Sequence, residues 1–225
     1  MSFALLGSIL VDGIAYAMIL FMITVGLSMT MGLMRVVNLA HGAFAMLGGF
    51  LAASLPQRLG VPIGVGFVLA IVLVGLVAVL FERILLRRFY RRDDLDQMLV
   101  TIGLMFVATA TVNLLFGSSV TSVALPEAFT GSVDLGFRTI PRHRLIVVAC
   151  GLVVVTILWL TVDRSSFGIR VRAAVDNAPI ARAIGIDTTK IYAATFAIGA
   201  GLAALGGIRA LSCCRWSRPM PPSIW

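Results

Sequence analysis

From Leu5 to Met34 the chain is nearly uninterrupted apolar sequence. As a straight helix that run measures about 45 Å, against roughly 30 Å for the hydrocarbon core of a bilayer. It must therefore tilt or break, and Gly26 and Gly32 are the expected weak points, with Ser28 and Thr30 placed to satisfy freed carbonyls. Further apolar runs follow: Asn38 to Leu55 (short for a span at roughly 25 Å), Val61 to Phe81, Met98 to Phe116, Leu145 to Val162 and Tyr192 to Ile208. Pro56 to Gly60 reads as a tight turn between the second and third.

Of the 225 residues, 60% are hydrophobic and 12% charged, and the mean hydropathy is +1.03. No soluble domain has that balance. The strand alternation of a transmembrane barrel is missing, so the backbone must satisfy itself as helices. The expected fold is all-α: a polytopic transmembrane bundle of about six apolar segments. Gly199, Gly201, Ala203, Gly206 and Gly207 give the last segment the small residues that let membrane helices approach closely, so it should be buried among its neighbours.

The net charge of +8 would suggest nucleic acid in a soluble protein. Here the arginines sit in short loops between spans, so a nucleic-acid partner is not expected, and membrane lipid is. If the arginine-dense loop from Glu82 to Asp96 is cytoplasmic, the stretch from Arg164 to Lys190 is cytoplasmic too, and the N-terminus lies outside. Eleven basic residues then fall inside (Arg35, Arg83, Arg87, Arg88, Arg91, Arg92, Arg164, Arg170, Arg172, Arg182 and Lys190). Four fall outside (Arg58, Arg138, Arg142 and Arg144).

Phe167 to Lys190, FGIRVRAAVDNAPIARAIGIDTTK, is a polar insert between two apolar runs that keeps too much Ala, Ile and Val for a plain solvated linker. Asn177 can cap a short helix, Pro179 fits its first turn, and Gly185 can supply the left-handed residue that ends it. At helical spacing Ala174, Ala178, Ala181 and Gly185 would share one side, a smooth strip against which another backbone can lie, if the helix ran on upstream of Asn177; a cap there shortens the strip. A docking element for a cytoplasmic partner is the expectation.

Several chemistries are excluded. Lys190 is the sole lysine and follows Asp187-Thr188-Thr189, so no Gly-rich phosphate loop ending in Gly-Lys exists. The two histidines, His41 and His143, are far apart in sequence, and no Gly-x-Ser-x-Gly elbow occurs. Three cysteines, one alone and two adjacent, give neither a disulfide framework nor a metal site. Neither catalytic residues nor metal ligands nor a bound cofactor are expected. What remains is movement of a small, partly apolar molecule, met by a few polar groups. Asn38, His41, Gly42, Thr101 and Asn113 are the candidates for that pathway.

Two motifs point the same way. Gly26-Leu27 through Gly32-Leu33, then Val37-Asn38-Leu39-Ala40-His41-Gly42-Ala43 and Gly48-Gly49, resembles the opening of the branched-chain amino acid ABC transporter permeases of the LivH type. Phe167-Gly168, Arg170, Arg172-Ala173, Asn177, Ala181 and Gly185-Ile186, followed by Phe196, is similar to the coupling loop of that family. The resemblance implies a permease subunit of an importer for branched-chain or other hydrophobic amino acids in the bacterial inner membrane. Its partners would be a second related permease, two P-loop ATPase subunits that consume the ATP, and a periplasmic or lipoprotein solute-binding protein.

On this reading Gly168, Arg170, Arg172, Asn177, Ala181, Arg182, Gly185 and Ile186 serve ATPase docking. The strip Ala174, Ala178, Ala181 makes the contact, and Arg170, Arg172 and Arg182 fix its register. Family members continue past the position of Gly206-Gly207 with further spans, whereas this chain turns at Leu211 into an atypical tail, 211–225. That departure suggests an interrupted gene, and with it the alternative of a non-functional truncated permease. The other alternative is a stand-alone channel or secondary carrier for a small polar solute.

Overall fold

The computed structural model describes residues 3–34, 38–89, 92–117, 132–134 and 139–214. Expectations that fall on Arg35, Val37, Arg91, Arg138 and residues 215–225 lie outside these. Helices dominate, in the order α1 (Phe3–Met34), α2 (His41–Leu59), α3 (Ile63–Phe81), α4 (Arg87–Phe89), α5 (Asp94–Phe116), α6 (Arg142–Asp163), α7 (Ser166–Asp176), α8 (Ala178–Ala183) and α9 (Thr188–Cys214). A short antiparallel pair, β1 (Ser132–Asp134) with β2 (Thr139–Pro141), leads into α6. Among the described residues, five helical stretches are long and apolar enough to cross a membrane, from Ile9–Gly32 to Thr188–Leu211. The nineteen-residue α2 is packed beside them.

The long first run is one unbroken helix of 32 residues, so the expected break at Gly26 or Gly32 does not occur. Gly26 is used for packing instead: a Cβ there would come 2.8 Å from the carbonyl carbon of Gly199. Thr30 does turn its hydroxyl back on the chain, donating to the Leu27 carbonyl oxygen at 2.9 Å. Nor do residues 56–60 form a tight turn. Helix α2 continues through Pro56 to Leu59 and ends at Gly60, whose φ of 64° is the left-handed conformation a glycine cap adopts without strain. The Pro56 ring lies over Gly66, where a Cβ would meet its Cγ at 2.5 Å.

The stretch from Glu82 onward is also more helical than its charge suggests. Helix α3 passes into a π-helical turn, Glu82–Leu86, and then into α4. Glu82 and Leu86 are fully buried, while Ile84 is exposed. Helix α5 begins at Asp94, four residues before the expected Met98. The acidic Asp94 and Asp96 in its first turn complement the positive end of the helix.

Helix α9 is the centre of the bundle: 61% of its span is buried, against 11% for α5. It packs on α1, α2 and α3. Where α9 meets α2, a Cβ on Gly207 would overlap the Ala45 carbonyl group, and one on Gly48 would overlap Ala204. Around this seam Phe44, Phe81 and Phe196 pack ring on ring, with centroids 5.8–6.3 Å apart. Helix α9 runs on without interruption past Leu211 to Cys214.

The contacts fix relative directions. Gly26 faces Gly199 and Gly206 faces Ile23, so α1 and α9 are antiparallel. Met18 lies against Gly151 and Asp12 pairs with Arg144, so α1 and α6 are parallel. Leu39 bonds Thr101, and Arg58 bonds the Leu115 carbonyl and covers the Phe116 ring, so α2 and α5 are parallel. The C-terminal end of α1, the end of α4 and start of α5, and α7 and α8 therefore share one end of the bundle. Among the described basic residues, Arg83, Arg87, Arg88, Arg92, Arg164, Arg170, Arg172, Arg182 and Lys190 lie toward that end, and Arg58, Arg142, Arg144 and Arg209 toward the other.

Candidate transport pathway and docking segment

Residues 38–40 form a turn in which Asn38 and Ala40 are buried and Leu39 is exposed. Asn38 is 1% exposed, and its Oδ1 accepts the Ala40 N–H at 3.1 Å. This is an Asx turn reaching two residues on, with Ala40 in the cap position of α2. His41, also buried, has Nε2 3.0 Å from the Ile23 carbonyl oxygen. A carbonyl only accepts, so Nε2 carries the proton. The ring meets Phe44 edge-on at 6.4 Å.

Opposite the turn, the Leu39 N–H donates to Thr101 Oγ1 at 3.3 Å. That hydroxyl in turn donates to the carbonyl oxygens of Gln97 and Met98, each at 3.0 Å. Asn38, His41 and Thr101 are thus brought together. Gly42 stands beside them on the exposed side, with nothing within 4 Å of where a Cβ would sit. Asn113 is not part of this group: it is exposed and lies twelve residues, about 18 Å of helix, beyond Thr101. Gln97, 4% exposed, joins the group without having been expected. Its burial had no signal in the sequence beyond a polar residue one place before an apolar run.

In the insert, local chemistry matches the sequence closely. Ser165 caps α7, accepting from the Gly168 N–H at 3.4 Å. Asn177, in extended backbone, ends α7 and caps α8 by accepting the Ile180 N–H at 3.1 Å. Gly185 takes φ 87°. Its N–H donates to the Arg182 carbonyl at 3.0 Å and the Ile186 N–H to the Ala181 carbonyl at 2.9 Å, the paired closure of a glycine-capped helix. Replacing Asn177 with Ala is expected to cost about 1 kcal/mol of α8 stability. Amide hydrogen exchange over residues 178–184 checks this, with a rise of roughly fivefold expected.

Two of the four small residues of the strip are spent within the chain, while Ala178 is half-buried and Gly185 exposed. Ala174 and Ala181 are 1% and 2% exposed; Ala174 packs with Val171, Ile191 and Ile186, and Tyr192 donates to its carbonyl at 3.3 Å. The backbone that comes close is that of the chain itself. Arg172 donates to the Val162 carbonyl at 2.8 Å and pairs with Asp163, while Arg182 Nε donates to Thr188 Oγ1 at 2.9 Å. Gly168 abuts the Val162 carbonyl. These residues hold the insert in place. What the insert turns outward is Ile169, Ile180 and Ile184, 62%, 60% and 69% exposed, with Arg170 and Pro179 between them.

Asp187 closes the segment by capping α9, its Oδ1 accepting the Thr189 and Lys190 N–H groups at 3.1 and 3.2 Å. The Lys190 backbone bond, then the Lys190 side chain, holds its carboxyl below the usual range. The cap is therefore complete at neutral pH and is lost only as acid takes the pH down to that depressed value.

Comparison with known proteins follows this geometry. Residues 9–214 match the family described as branched-chain amino acid transport system, permease component. The chain is 28% identical over 200 residues to the high-affinity branched-chain amino acid transport system permease protein LivH of Escherichia coli K12, covering 83% of this chain and 64% of that protein. It is 26% identical over 210 residues to the permease protein BraD of Pseudomonas aeruginosa, covering 88% and 68%. To a probable branched-chain amino acid transport permease protein LivH of Methanocaldococcus jannaschii it is 25% identical over 205 residues, covering 88% and 64%. The chain thus spans about two thirds of the length of these relatives, and no solved structure matches it. A match that begins in α1 and runs to the end of α9, across both the buried turn and the capped insert, places this chain in the branched-chain amino acid transport permease family.

Proposed function

We propose that this chain is the permease subunit of an ABC importer that moves branched-chain or other hydrophobic amino acids across the bacterial inner membrane. Separate ATPase subunits would supply the work, alongside a second related permease and a solute-binding protein outside. The observation that carries the reading is the outward apolar patch of Ile169, Ile180 and Ile184 on a rigidly capped segment, at the arginine-rich end of a chain of this family. An element exposed this way and braced on α9 can transmit a partner's movement to the centre of the bundle.

The orientation follows from the same end. The positive-inside rule makes it cytoplasmic and leaves the start of α1 outside. A cysteine placed at Ala178 is therefore expected to react with a membrane-impermeant maleimide in inverted vesicles and to stay unlabelled in intact spheroplasts; labelling in spheroplasts alone would reverse the topology. The function itself is tested by ATP-driven L-leucine uptake into proteoliposomes containing this chain and its co-expressed ATPase. Uptake that continued without the ATPase would favour a stand-alone carrier instead.

A further inference from the structure

The turn at the start of α2 and the first turns of α5 leave two hydrogen-bonding atoms over. Asn38 gives its Oδ1 to the Ala40 N–H, so the remaining atom is the donor Nδ2, which is buried and has no partner among the described residues. Gln97 donates its Nε2 to the carbonyls of Phe89 and Arg92 at 3.2 and 3.1 Å. Since carbonyls only accept, the orientation of that amide is fixed, and the atom left buried and unpartnered is the acceptor Oε1.

One hydroxyl ties the two residues together. Thr101 Oγ1 takes the N–H of Leu39, next to Asn38, and donates to the carbonyl of Gln97. A buried polar atom left unpaired costs about 1–3 kcal/mol. A donor and an acceptor left over on two residues whose backbones meet at one threonine could together receive a group that offers the reverse. Beside the turn the backbone of Gly42 is exposed, with no atom within 4 Å of a Cβ position, and a solute would approach over it. Neither amide carries charge, so the pair suits a ligand that is neutral overall and not a bare ion.

We propose that Asn38 Nδ2 and Gln97 Oε1 form a recognition site for a small solute whose head group pairs an acceptor with a donor, as a zwitterionic α-amino acid or a carboxamide does. The carboxylate or amide oxygen accepts from Asn38, and the ammonium or amide N–H donates to Gln97. This rests on the transport reading above and assigns to it the residues that meet the solute in the chain's interior.

The test is equilibrium binding of radiolabelled L-leucine and, separately, acetamide to the full chain in lipid nanodiscs, without ATPase or binding protein. Asn38→Asp keeps the oxygen that bonds Ala40 and exchanges the donor for an acceptor. Gly42→Leu fills the approach and leaves both amides untouched, and it reports on the site even where the first variant fails to fold. Each is expected to weaken Kd at least tenfold, with Gly103→Ala, in open space on α5, leaving it unchanged. Binding of leucine alone assigns the zwitterion, and binding of both solutes assigns the amide-type group. A wild-type chain that binds neither solute, or whose Kd is the same in both folded variants, overturns the site and leaves water as its occupant. ATP-driven uptake that persists in that case shows the transport reading to be intact; its absence is a separate failure.

Discussion

Gly207→Leu is expected to abolish recovery of the folded chain. Helices α9 and α2 touch backbone to backbone at this point: a Cβ on Gly207 would come 2.6 Å from the Ala45 carbonyl carbon and 3.0 Å from its Cα. Neither is the flexible end of a side chain, so one helix must move. The same stretch of α9 is gripped on its other side by α1, through Gly206 against Ile23 and Gly199 against Gly26, which leaves no direction in which α9 can yield. Overpacking of this kind costs about 3 kcal/mol. That is a large fraction of the stability of an ordinary domain.

In a membrane there is no compensating hydrophobic gain from pressing helices together, because lipid chains are as apolar as the side chains. Close packing is what the seam contributes, and its loss is not made good elsewhere. The measurement is the monodisperse fraction and melting temperature in mild detergent. Gly207→Ala should already lower the melting temperature. Gly103→Ala, where nothing lies within 4 Å, should raise stability by about 0.5 kcal/mol through helix propensity alone. Equal melting temperatures for Gly207→Leu and the unaltered chain would show that α2 and α9 do not meet as described.

The second large effect is on assembly. Ile180→Glu with Ile184→Glu is expected to weaken capture of the co-expressed ATPase by at least about 100-fold, while the permease itself folds normally. Both side chains are more than half exposed, so their replacement should alter the fold by no more than about 0.5 kcal/mol. Burying each isoleucine against a partner is worth roughly 1.5–3 kcal/mol, and a 100-fold change in affinity corresponds to about 2.7 kcal/mol. Losing two such contacts, with two carboxylates brought to an apolar interface, is enough. Ala181→Trp would be the wrong probe: Ala181 is 2% exposed, and a large ring there would disrupt the insert from within. Quantitative pull-down decides the matter, and undiminished capture by the double variant would place the ATPase contact elsewhere.

The insert shows how far residues alone can be read. Asn177, Pro179 and Gly185 act through their own backbones and the next few residues, so capping, helix start and left-handed stop are local properties, and each is found where the chain order puts it. The direction in which the insert faces is not local. Ala174 could serve equally against a foreign subunit or against the chain's own α9, and only the packing on Ile191 and Tyr192 chooses the second. The same division applies to Gly26. As a residue it permits either a break in a long helix or a close crossing, and the presence of Gly199 opposite selects the crossing.

Membership of the all-α membrane class, the rough limits of most apolar helices, and the burial of the last one were determined by the sequence itself. Length and apolarity leave a backbone in lipid no other way to satisfy its hydrogen bonds. Tertiary structure alone decided that Glu82 and Gln97 are interior, that Asn113 stands apart from Asn38, and that isoleucines form the exposed face of the insert. A polar residue at the edge of an apolar run carries no record of what will pack over it. That depends on helices brought from 18 to 162 residues away, as Ile23 reaches His41 and Gly207 reaches Ala45.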